Sequence, residues 1–136
     1  MGMRTNSDIT VYNKHYNKTT RLDEWFYTQI PAVHWHGKQA VNVDSKGLSA
    51  ASVYTVRIPA SSAPPGKKYV MPSDYTAADS SALAGLWTLQ NGDIVARGLI
   101  DTPDPKNIAV EHFTVTGWAD NRYGSESLQH WRVDGK

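Results

Sequence analysis

The sequence predicts a mainly β chain, a small antiparallel β-barrel or sandwich with long loops and at most one short helix. Three observations carry that expectation. Short runs of β-branched and aromatic residues alternate with polar ones at a period of two. Gly, Pro, Asn and Asp punctuate those runs at short intervals. Helical spacing occurs in one ragged stretch, residues 73–86, so there is little helix to cover a sheet and the strands must pack on each other.

Taken in order, residues 8–13 form the first strand, with Ile9, Val11 and Asn13 on one face. The polar run 14–23 connects it to a second strand, residues 24–30. There Trp25, Tyr27 and Gln29 oppose Phe26, Thr28 and Ile30, so both faces are expected to be covered. Pro31 interrupts the ladder, residues 33–36 resume it, and Gly37-Lys38 is expected as a turn. Residues 39–51 read as a loop with a short strand at 41–43. A further strand, residues 52–59, sets Val53, Thr55 and Arg57 against Tyr54, Val56 and Ile58.

Residues 60–68 are the most loop-like segment, because Pro64 and Pro65 fix φ and remove two donors while Gly66 permits a reversal. The segment is expected to project. A helix follows near residues 73–86 with Ser73 as its cap. Asn91-Gly92, flanked by apolar runs 87–89 and 94–100, is a strong hairpin signal since both residues tolerate positive φ. Strands at 113–116 and 128–133, with a turn around Tyr123-Gly124-Ser125, complete the chain; in the last strand Gln129, Trp131 and Val133 oppose Leu128, His130 and Arg132.

The 136 residues carry 14 Lys+Arg against 13 Asp+Glu, a formal charge of +1. That balance lacks the basic footprint of a protein that wraps nucleic acid. With no cysteine, disulfides, thiolate nucleophiles and Cys-based zinc sites are excluded. A chain of this size buries about 68% of the surface its extended form exposes. One domain is expected, residues 8–136, behind a flexible N-terminus at residues 1–7. No apolar run approaches the ~18 residues of a membrane span, and no signal-peptide core opens the chain.

His34 and His36 lie two apart on a strand and face the same side, the start of a metal site. A third ligand is needed, and His112 and His130 are scattered, so partly exposed structural histidines are the favoured reading and no metal or other cofactor is assigned. No Gly-x-Ser-x-Gly elbow or phosphate-cradling Gly-rich loop is present, and carboxylate pairs such as Asp23-Glu24 sit beside turns. No catalytic residue is assigned, and the chain is not expected to be an enzyme. Five Trp and seven Tyr exceed what a small core needs, leaving some for contacts with protein, sugar or single-stranded partners.

The phrases Ile9-Thr10-Val11-Tyr12-Asn13-Lys14, Tyr27-Thr28-Gln29-Ile30 with Val33-His34-Trp35, Lys68-Tyr69-Val70-Met71-Pro72, Thr88-Leu89-Gln90-Asn91-Gly92-Asp93, and Tyr123-Gly124-Ser125 with the ending from Gln129 to Lys136 give the chain a specific order of motifs. In that order it resembles a family of short proteins of tailed phages and prophages encoded among the head-to-tail connection genes. The resemblance runs from Ile9 to the last residue and implies a structural neck component of the virion, of head-closure (stopper) or connector type. It implies a small β-barrel arranged with copies of itself in a ring around the DNA channel, with a portal or adaptor protein and tail proteins as neighbours. Tail completion, or a minor tail role, is the alternative, and a sugar- or single-strand-binding barrel a more distant one. Host cytoplasm during assembly and the virion afterwards are the expected locations, with no membrane partner. Lys38, Lys46, Pro64, Pro65, Gly66, Lys67 and Lys68 are the candidate interface or channel-loop residues, the lysines for transient contact with packaged DNA.

Overall fold

The computed structural model describes residues 5–40, 51–64, 66–102, 104–122 and 129–136. Strand β1 spans Ser7–Asn17, β2 Leu22–Ala40 and β3 Ala51–Pro59. The short β4, Lys68–Tyr69, and β5, Leu86–Trp87, are followed by β6, Ile94–Arg97, β7, His112–Asn121, and β8, His130–Gly135. Six of these close a barrel in the order β1-β2-β3-β8-β7-β6, every neighbouring pair antiparallel. β4 and β5 make a separate parallel pair. Among the described residues the chain builds the expected mainly β barrel, with long loops and one short helix.

Period-two alternation fills the barrel. Ile9 and Val11 of β1, Ile30 and Val33 of β2, Val56 and Ile58 of β3, and Val133 of β8 all point inward and are fully buried. Each such side chain contributes about 1.5–3 kcal/mol relative to exposure. Two aromatic clusters stop the ends. At one end Trp87, Trp131 and Tyr69 meet with ring centroids 4.9–5.0 Å apart. At the other, Tyr54 stacks on Phe113 at 5.1 Å and Trp35 meets both rings edge-on.

Several elements depart from the sequence reading. β1 runs on to Asn17 and β2 starts at Leu22, so most of the expected 14–23 connection is strand, and only residues 18–21 turn. Asn13 and Lys14 stay in the ladder because Asp93 and Gln90 receive their polar groups. Pro31 does not end the strand. It lies with Ala32 in a bulge where β2 has two residues against one of β1, between the pairs Ser7↔Val33 and Ile9↔Ile30. Ala32 takes φ +57° there, its N–H donating to Asp8 Oδ1 (3.0 Å) and its carbonyl accepting from Ser62 Oγ (2.7 Å).

Gly37-Lys38 is not a turn but mid-strand in β2, paired with Tyr54 and Val53. Gly37 is glycine for closeness: a β-carbon there would stand 3.0 Å from the Tyr54 ring. The expected helix is shorter, Pro72–Ala77, here α1, with Met71 and not Ser73 at its cap. Ala78 and Asp79 are extended and a 3-10 stretch, Ser80–Gly85, follows. Asn91-Gly92 does turn the chain: Asp93 N–H donates to Gln90 O (3.3 Å) with Gly92 at φ +92°, a type II turn. It makes no hairpin, because β5 pairs with β4 while β6 pairs with β1 and β7. The expected strand at 41–43 and the turn at 123–125 lie outside the described residues.

Candidate interaction surfaces

Barrel closure uses only part of each of the first three strands. β6 pairs with β1 from Ile9 to Tyr12, so residues 13–17 of β1 pair with 22–26 of β2 as a two-stranded ribbon. β8 pairs with β3 from Tyr54 to Pro59, so residues 51–53 of β3 pair with 38–40 of β2 as a second ribbon. The two ribbons leave from opposite ends of β2. The first presents Tyr16 and Leu22, 51% and 66% exposed, near its turn. One face of this ribbon is covered by the chain itself, where buried His15 meets Tyr75 edge-on and its Nε2 lies 3.1 Å from the Ala78 carbonyl. The other can gain from a partner, since two-stranded ribbons are marginal alone in water.

The candidate loop residues divide. Lys38 is a backbone member of the second ribbon. Lys46 and Pro65 lie outside the described residues. Pro64 is half-buried, while Gly66 and Lys68 are exposed. Lys67 does not project: its Nζ donates to the Tyr27 carbonyl (2.8 Å) and to Thr28 Oγ1 (3.0 Å), lashing the 60–67 segment along β2. Burial lowers its pKa from the ordinary lysine value. Between that segment and β2 runs an open groove of about 590 Å³ lined by Trp25, Tyr27, Pro64, Gly66, Lys67 and Ala84, among others.

Three side-chain devices stand where a neighbouring strand would. Asn6 receives Trp35 N–H at Oδ1 (2.8 Å) and donates through Nδ2 to the Trp35 carbonyl (3.1 Å). Asp93 Oδ1 accepts from Lys14 N–H (3.0 Å) while Gln90 Nε2 donates to the Lys14 carbonyl (2.6 Å). Lys67 on Tyr27 is the third. Asp93 is 1% exposed, and burial pushes its pKa up to about 7 against the pull of donors from Lys14, Asn13 and Gln90. Asn13 Nδ2 bridges Asp93 Oδ2 and the Thr88 carbonyl, both at 2.7 Å, joining β1 to the segment that carries Trp87.

His34 and His36 share the outer face of β2, with Trp35 turned inward. Among the described residues no three His, Asp or Glu side chains converge as a metal site. No helix among them is long and apolar enough to cross a membrane. Of the five tryptophans, Trp35, Trp87 and Trp131 are buried, while Trp25 and Trp118 are half-buried. Arg122 lies over Tyr69 and Trp131 at 5.0 and 4.8 Å. It binds Asp120 through two 2.8 Å contacts, which hold that carboxyl below its usual pKa.

Asp93, Asn6 and Arg122 escaped the sequence reading. Each sits beside a turn or strand end, where Asn, Asp and Arg are ordinarily solvated, and only the long-range pairing gives them partners. The one available signal was Asn13, a polar residue in phase with Ile9 and Val11, which called for a buried polar partner.

No curated protein and no solved structure matches the chain. A family model matches residues 4–136, and the chain therefore belongs to DUF6751, a family of unknown function.

Proposed function

We propose that the chain is a structural subunit of the neck of a tailed phage or prophage virion, of the head-closure type. Copies of it form a ring between a portal or adaptor protein and the tail proteins. The observation that carries the reading is the pair of ribbons leaving the closed barrel from opposite ends of β2. A ring subunit meets copies at two sides and other rings at its axial faces, which calls for a rigid body with arms in both directions. The order of motifs from Ile9 to Lys136 adds support independent of the fold. The reading assigns no catalytic residue and no cofactor. Contact with DNA is transient, in keeping with a formal charge of +1.

Deleting the gene in its phage and imaging the lysate tests the proposal. Unattached tails beside heads that leak DNA are expected. Full, stable heads with defective tails would move the chain to tail completion, and normal virions would refute a neck role.

A further inference from the structure

Part of β2 keeps an edge that the barrel does not use. Lys14 turns its N–H toward Asp93, on the β6 side of β1. Backbone groups alternate along a strand, so Tyr12 and Lys14 face β6 while Val11 and Asn13 face β2. The register then turns Phe26 and Thr28 toward β1 and Trp25, Tyr27 and Gln29 away from it. On that outer side β3 pairs only from His34 onward, and no strand among the described residues pairs with residues 25–29. The Lys67 ammonium on the Tyr27 carbonyl occupies the place of a neighbouring strand's N–H.

The groove beside this edge offers Trp25, Pro64 and Ala84 as apolar walls. Its cation is poorly matched. Lys67 is half-buried and bonded to two neutral oxygens, and among the described residues no carboxylate lies within ion-pair distance of it. A desolvated ammonium gains most from an ionised acceptor. The lowered pKa of Lys67 reports the same deficit. Strand addition takes its affinity from main-chain hydrogen bonds and its specificity from pockets for alternate side chains.

We propose that this groove docks an extended, acidic segment of a different protein, added as a strand along residues 25–29 of β2 with a carboxylate on Lys67. Lysine on an exposed edge blocks casual pairing, so Lys67 serves both as the guard of an empty edge and as the anchor of the correct segment.

The test uses the full chain and two synthetic peptides that alternate Val and Thr around one central residue, Glu in the first and Lys in the second. Amide hydrogen exchange is followed by NMR. The Glu peptide is expected to slow exchange at the Trp25, Tyr27 and Gln29 amides and to bind about tenfold tighter than the Lys peptide, the order for one charge-assisted pair. Lys67→Gln should abolish that preference and Lys67→Arg retain it, with the rest of the spectrum reporting that both variants fold. No slowing at those three amides with millimolar peptide would overturn the proposal, as would equal binding of the two peptides. Slowing that appears without peptide and grows with protein concentration would give the edge to a second copy instead. The measurement needs only purified protein, so its failure leaves the virion experiment standing, and the reverse.

Discussion

Replacing Gly135 by alanine tests how the barrel closes. Gly135 pairs with Tyr54 of β3 on one side and Val115 of β7 on the other. A β-carbon at Gly135 would come within 2.9 Å of Phe113 Cε2 and nearer still to Phe113 Cδ2 and the Thr114 carbonyl oxygen. Neither neighbour is free to retreat. Phe113 is stacked on Tyr54 and edge-on to Trp35, and Thr114 exchanges two backbone hydrogen bonds with Lys136, at 3.2 and 3.3 Å. Overpacking costs about 1–3 kcal/mol, and loss of the two backbone bonds adds about 0.5–1.5 kcal/mol each. Gly135→Ala should therefore destabilise by about 2–6 kcal/mol. At about 4 °C per kcal/mol for a domain of this size, Tm falls by roughly 8–24 °C. Urea unfolding followed by tryptophan fluorescence, with a thermal melt, measures both. Gly85→Ala is the control, since nothing lies within 4 Å of its β-carbon position. A loss below about 1 kcal/mol for Gly135→Ala would show that β7 and β8 are not held as tightly as described.

Asp93 gives a pH dependence. Unfolded, it releases its proton near pH 3.8, and folded only at about 7, so stability is full below pH 4 and is lost as pH rises through that window. The loss is at most about 4 kcal/mol, at about 1.4 kcal/mol per pH unit, and urea unfolding between pH 4 and 8 should show the slope in the native chain and not in Asp93→Asn; equal slopes refute it. Ala32→Gly should gain about 0.5–1 kcal/mol by relieving a non-glycine residue at φ +57°, and an unchanged unfolding midpoint would count against that strain. Gly92→Val should cost roughly 1–3 kcal/mol, because a β-branched residue does not hold φ +92° in a type II turn; a native-like melt would contradict the assigned turn.

Strand identity was legible wherever burial alone drives alternation. Val56 and Ile58 of β3, and Trp131 and Val133 of β8, fall on the inner face that their spacing assigns. The misses share one cause, a local signal overruled by a distant partner. Asn91-Gly92 looked like a hairpin because apolar runs flank it, yet the runs pair with β4 on one side and with β1 and β7 on the other. Gly37 looked like a turn because Gly usually reports φ, and here it reports the Tyr54 ring. Lys67 looked solvated because it follows tandem prolines, and its tie to Tyr27 exists only once β2 is in place. Of the candidate loop residues, Pro64, Gly66 and Lys67 do come together at one groove, while Lys38 belongs to a ribbon.

The side chains that stand in for missing strands also set how the protein can vary. Asn6 takes the place of β1 beside Trp35, and the Asp93–Gln90 pair takes the place of β6 beside Lys14. In residues 15–17 with 22–24, and in residues 38–40 with 51–53, the two strands of each ribbon pair only with each other, so inserting or deleting one residue from each strand changes the ribbon's reach by about 3.4 Å and leaves the closed sheet untouched. Arm length is thus uncoupled from barrel geometry. Related chains can differ in ribbon length while keeping the same six-stranded body, and length differences should concentrate at residues 18–21 and between β2 and β3.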